Sequence, residues 1–93
     1  MAWDDAFRAL SDPTRRSILR LLRDGERSAG EIARHFETSA PAMSHHLTVL
    51  KQSDLVEATR NGQQIVYSLN TSALQDVVRY FLDTFATEHQ TNE

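Results

Sequence analysis

The sequence predicts a mainly α-helical fold with one small β-hairpin, in the order α-α-α-α-β-β-α. Three observations predict it. Apolar residues recur at helical spacing near both ends, a three-residue polar turn separates two helical segments in the middle, and Asn61-Gly62 divides two β-prone runs. The 93 residues are expected to form one domain, residues 1–93, without repeat, linker or low-complexity tract. A chain this short hides only about 60–65% of the surface its unfolded form exposes, so its core is thin and a partner surface would help.

Each element has its own signal. Trp3, Ala6, Phe7 and Leu10 follow i, i+3, i+4, i+7 spacing and make one helical stripe. Asp12 is a good N-cap with Pro13 at the first helical position, where a missing N–H costs nothing. The second helix carries Ile18, Leu21 and Leu22, and Gly25 is a natural stop. Ser28-Ala29-Gly30-Glu31 reads as a capping box, opening a short helix with Ile32, Ala33 and Phe36. Glu37-Thr38-Ser39 is the turn. Ser39 or Ala40 starts the next helix, with Pro41 in its first turn and Met43, Leu47 and Leu50 on its apolar side. Residues 55–60 and 63–69 are β-prone, and Asn61-Gly62 between them suits a type I′ turn, which needs positive φ at both central positions. Leu74, Val77, Val78, Phe81, Leu82 and Phe85 then form a last amphipathic helix. Two short helices about a tight turn, followed at once by a hairpin, make a winged helix-turn-helix.

Composition narrows the function. Cysteine is absent, which excludes disulfides, thiolate metal sites and thiol switches. The acidic start Met1-Ala2-Trp3-Asp4-Asp5 lacks the features of a secretion signal, and no run approaches a membrane span, so a soluble cytoplasmic protein is expected. No triad, paired-carboxylate site or glycine-rich phosphate loop occurs, so an enzyme is not expected, nor is a cofactor. The net charge of −3 is unevenly spread. Residues 13–67 hold eight Lys/Arg against six Asp/Glu, whereas the two ends hold Arg8 and Arg79 against seven acids. The middle can therefore face phosphate while the ends face away.

On the second helix of the helix-turn-helix, Met43 points to the core, Leu47 and Leu50 lie within about 40° of it and His46 within about 60°. Pro41, His45, Thr48 and Gln52 lie opposite, with Ser44 on the flank. Small polar side chains and an imidazole on an exposed face can reach base edges in a major groove. The candidate DNA contacts are Ser39, Ala42, Ser44, His45, Thr48 and Lys51 here, Arg60 and Gln63 at the wing tip, and Arg15 and Arg16 on the second helix. Ser39 can cap its helix, bond a phosphate, or both. Arg60 and Gln63 can equally serve to keep the hairpin soluble. Arg15 and Arg16 sit at the unfavourable end of a helix dipole, which suits an external anion, although Asp4, Asp5 or Asp12 could also partner them. His46 reads as a packed histidine bonding to backbone.

The segments Ala9-Leu10-Ser11-Asp12-Pro13-Thr14-Arg15-Arg16-Ser17-Ile18-Leu19 and Ser39-Ala40-Pro41-Ala42-Met43-Ser44-His45-His46-Leu47 resemble the ArsR/SmtB family of repressors. Val49-Leu50-Lys51, Leu55-Val56 and Arg60-Asn61-Gly62-Gln63 extend the likeness over nearly the whole chain, and Tyr67-Ser68-Leu69-Asn70 is similar to an autorepressor branch of it. The resemblance implies repression at an inverted-repeat double-stranded DNA operator by a homodimer built on the first and last helices. The interface residues would then be Trp3, Phe7, Leu10, Leu74, Val78, Phe81 and Phe85. A protein-interaction module without DNA binding is the alternative. The family's metal sites lack their ligands here. Ser28 and Gly30 occupy the Cys-x-Cys positions, Val77-Val78 follow Asp76, and Gln90-Thr91-Asn92 follow His89. Asp83, Glu88 and His89 remain as donors at unhelpful angles, so no metal is expected. The signal would instead be a sequestering protein or a small molecule between the terminal helices.

Overall fold

The computed structural model describes residues 3–86. Among these, the order is α1 (Trp3–Leu10), α2 (Pro13–Arg23), β1 (Arg27–Ser28), α3 (Ala29–Arg34), α4 (Ala40–Gln52), β2 (Val56–Asn61), β3 (Gln64–Leu69) and α5 (Thr71–Phe85). The expected helices and hairpin are all present. Strand β1 is an addition: it pairs antiparallel with β3, Arg27 opposite Tyr67 and Ser28 opposite Val66, giving a three-stranded sheet of order β1-β3-β2. Two residues are too few to produce an alternation in the sequence.

Local chemistry starts helices α2, α3 and α5. The Asp12 carboxylate accepts the Arg15 backbone N–H at 3.0 Å. Ser28 and Glu31 form a reciprocal capping box, with the Glu31 N–H donating to Ser28 Oγ at 3.1 Å and the Ser28 N–H donating to Glu31 Oε1 at 2.8 Å. Asn70 Oδ1 accepts the Ala73 N–H at 3.2 Å and so opens α5. Helix α3 ends at Arg34, leaving Phe36 half-buried in the turn instead of on the helix.

Hairpin register corrects one expectation. Asn61 pairs with Gln64, so the two-residue loop is Gly62-Gln63, one residue later than Asn61-Gly62. Gly62 has φ +67°, and Asn61 and Gln63 keep negative φ. A positive φ at the first central residue alone is the sign pattern of a type II′ turn, which wants glycine at that place.

The core joins all five helices. Ala6 and Ala9 of α1, Ile18 and Leu22 of α2, Ile32 of α3, Met43, Leu47 and Leu50 of α4, and Ala73 and Val77 of α5 are buried with Leu55 and Val56. Alanines on the inner side of α1 let it lie close over α4. Val49 and Ser53 are buried too, although they lie off the Met43 stripe. The C-terminal half of α4 is thus embedded on more than one side, while its N-terminal half projects. Ser53 Oγ donates to Leu50 O at 2.7 Å and accepts the Leu55 N–H at 3.3 Å, and Asp54 follows with φ 65° to turn the chain into β2. No helix among the described residues is long and apolar enough to cross a membrane.

Candidate nucleic-acid interface

Helix α4 begins where Ser39 Oγ accepts the Ala42 backbone N–H at 3.2 Å, so the Ser39 hydroxyl caps the helix. Ala42 beside it is half-buried. Over the next two turns Ser44, His45 and Thr48 are exposed, and no side-chain hydrogen bond within the described residues engages them. Lys51 is exposed one turn further along and is likewise unpaired among those residues. Arg60 is exposed on β2 near the wing tip, and Gln63 is exposed in the two-residue turn itself. A groove of about 310 Å³ runs beside the helix, floored by Met43, Leu47 and Tyr67 and edged by Ser44 and Thr48. Burial pushes the Tyr67 hydroxyl above its ordinary value, which keeps it uncharged there. The geometry offers base-sized polar groups on one projecting half-helix and cations further along it and at the wing, a layout that separates base reading from phosphate contact.

Arg15 stands elsewhere, and the expectation of a phosphate contact is corrected. Its side chain is buried, with only 7% exposure, and each of its three nitrogens has a partner inside the protein. Nε donates to Ala9 O at 2.9 Å, Nη2 to Arg8 O at 2.9 Å, and Nη1 meets His46 Nδ1 at 3.1 Å. Arg16 is exposed, but its Nη1 donates to Leu10 O at 2.7 Å. Two adjacent arginines therefore satisfy the last three carbonyls of α1, groups with no partner inside their own helix and at its negative end. The acids considered as partners do not take this role; Asp12 binds the Arg15 backbone instead. His46 is packed as expected, but its bond goes to a side chain and not to backbone. Nothing local in the sequence signals these contacts, because the partners lie on different helices.

A family model for a helix-turn-helix domain matches residues 10–59. The chain is 51% identical over 80 residues to the transcriptional repressor SdpR of Bacillus subtilis (strain 168), covering 86% of this chain and 89% of that one. The solved structure of an ArsR-like transcriptional regulator from Rhodococcus sp. RHA1 superposes with a TM-score of 0.83 at 31% identity, over 97% of this chain and 84% of the other. The chain belongs to the ArsR family. An ArsR-family relative from Staphylococcus xylosus, an arsenical resistance operon repressor, is 40% identical over 84 residues, covering 90% of this chain and 80% of its own.

The second surface of this ArsR-family chain is apolar. Trp3 stacks on Tyr80 with ring centroids 4.6 Å apart, and Phe7 packs against Tyr80 at 5.7 Å and Phe81 at 5.1 Å. Helix α1 is thereby fastened to α5. Trp3, Phe7, Leu10 and Leu74 are half-buried and pack against the core, so they serve the monomer first. Val78, Phe81, Leu82 and Phe85 remain between 46% and 66% exposed, one helical stripe that the other described residues leave largely uncovered. A groove of about 540 Å³ lies along it, lined by Leu74, Val78 and Leu82 between Arg79 and Asp83. Leu82 on this stripe and Tyr80 beneath α1 lie outside the residues expected from the sequence for a dimer interface. The i+4 step from Val78 marks Leu82, whereas only the fold reveals Tyr80 as the clasp to α1. Among the described residues no three His, Asp or Glu converge as metal donors; Glu88 and His89 lie outside those residues.

Proposed function

We propose that this protein represses transcription by binding, as a homodimer, an inverted-repeat DNA operator. The observation that carries the reading is the projecting half of α4. Ser44, His45 and Thr48 are presented to solvent with no hydrogen bond to another described residue, beside a wing ending in Arg60 and Gln63. Exposed polar groups with unused hydrogen-bonding capacity suit base edges, and Lys51, Arg60 and Arg16 are charges suited to phosphate. The bare stripe of α5 supports the dimer. An apolar face of four large side chains is stable in water when a second copy covers it, and two-fold symmetry lets each stripe cover the other. Two recognition helices would then address half-sites about 34 Å apart. Relatives named as repressors support the direction of control. Such a regulator would work in the cytoplasm.

Footprinting of the purified protein on the promoter of its own gene tests this. Two protected half-sites one helical turn apart are expected, with affinity falling steeply between 50 and 200 mM salt as counterions are released. Equal affinity for every duplex, or none at 50 mM salt, would leave the protein-interaction alternative instead.

A further inference from the structure

We propose that Arg15 is the positioning residue of the DNA-reading face, holding the recognition helix α4 in register with the end of α1 through His46. The inference rests on the DNA-binding reading above. Its physical basis is the buried fork, whose Nε and Nη2 take Ala9 O and Arg8 O at 2.9 Å each, while Nη1 takes His46 Nδ1 at 3.1 Å. A guanidinium has donors only, so His46 Nδ1 is the acceptor and its ring proton sits on Nε2. Asp12 Oδ2 lies 3.9 Å from the same nitrogen, too far for a hydrogen bond. One planar, rigid group thus spans two helices. Lysine cannot replace it, because an ammonium is a point charge without the fork.

His46 immediately follows His45, and their rings lie 6.1 Å apart between centroids. Fixing the His46 ring fixes the rotation of α4 about its own axis. Side chains end roughly 5–6 Å from a helix axis, so a turn of about 10° moves their tips by about 1 Å, enough to spoil a directional hydrogen bond. The other end of the fork is equally placed to matter. Helix α1 is clasped by Phe7 and Trp3 to α5, whose bare stripe is the proposed dimer face. Arg15 therefore stands where the arrangement of the dimer helices is passed to the helix that reads sequence.

The test compares Arg15→Lys, His46→Leu and His46→Asn with the wild type on the footprinted operator and on a scrambled duplex, at matched salt, by fluorescence anisotropy. Asparagine keeps an oxygen acceptor near the Nδ1 position, and both His46 variants leave the Arg15 bonds to α1 intact, so folding is preserved. Arg15→Lys and His46→Leu are expected to lose about tenfold in operator affinity, as for a buried hydrogen-bonding group left unpaired. Scrambled-duplex affinity should stay within about twofold, and His46→Asn should recover most of the loss. Nitrogen NMR of the wild-type ring should show Nδ1 unprotonated and hydrogen-bonded. Equal loss on both duplexes, no rescue by asparagine, or a protonated Nδ1 would overturn the assignment. A wild type that cannot tell operator from scrambled DNA would overturn the DNA reading instead, while the ring spectrum still tests the fork alone.

Discussion

At the residue scale, the two adjacent histidines have opposite tasks despite identical chemistry. His45 faces out and His46 is held by Arg15. Replacing His45 by alanine should cost ~1–3 kcal/mol of discrimination between operator and scrambled DNA, whereas Lys51→Ala should weaken both alike and flatten the salt slope by about one unit per site. Titrations of both variants check this, and an unchanged ratio for His45→Ala would remove it from the reading face. Asp12 yields a pH prediction. The Arg15 backbone N–H holds its carboxyl below the ordinary range, with burial opposing and the nearby Arg15 charge assisting. A depressed carboxylate stabilises the fold above its unfolded pKa, near ~3.9, and that contribution fades as pH falls through the folded value. Asp12→Asn keeps an acceptor cap without the titration. Urea unfolding should therefore show a smaller loss of stability from pH 7 to pH 3 in the variant; an equal loss would mean that Asp12 does not govern it. Caps such as Asp12, Ser28 and Ser39 were legible in the sequence because they act three residues away. Arg15 was not, because its acceptors are six, seven and thirty-one residues distant.

At the scale of elements, all five helices and both wing strands follow from periodicity and turn chemistry. The helical period located the exposed face of α4, since Met43, Leu47 and Leu50 define the side that must be buried. It could not reveal that Val49 and Ser53 are buried as well, because that depends on which neighbours surround the far end of the helix. The turn was legible in kind but not in register. Asn-Gly and Gly-Gln are both acceptable two-residue loops, and the pairing of Asn61 with Gln64 selects the second. A substitution exposes the difference between glycines. At Gly62 an added Cβ meets nothing within 4 Å, yet φ is +67°, so Gly62→Ala should cost about 1 kcal/mol through the backbone alone. Gly30 lies in α3, where the nearest atoms to an added Cβ are Arg34 Nη1 at 3.7 Å and Ser28 Oγ at 4.0 Å, ordinary contacts. Gly30→Ala should therefore stabilise by about 0.5 kcal/mol. Thermal unfolding of the two variants should move in opposite directions.

For the whole molecule, the question is what covers α5. Sequence periodicity shows that Val78, Phe81, Leu82 and Phe85 share a face, but an apolar face looks the same whether α1 or a second copy lies against it. Among the described residues α1 takes Tyr80 and packs on Phe81, while Val78, Leu82 and Phe85 stay more than half exposed. Sedimentation at micromolar concentration should thus give about twice the 10.6 kDa chain mass, and Phe81→Glu should weaken dimerisation at least ~100-fold, since a charge there must be desolvated. A 10.6 kDa species alone at high concentration would refute the dimer. Operator binding should be indifferent to chelators, because the family metal positions hold Ser28, Gly30 and Val78 instead of ligands. A stoichiometric zinc complex that releases DNA would contradict this.

The chain has a single tryptophan, and it lies face to face with Tyr80 at 4.6 Å on the helix that bears the apolar stripe. Light absorbed by Tyr80 passes readily to an indole so close, and the colour of Trp3 emission reports how much water reaches it. Half-buried in the monomer, Trp3 would be further shielded when the stripe is covered and would shift to the red when the two copies part. The aromatic clasp that braces α1 against α5 would therefore also report the proposed assembly optically, readable by dilution without any label.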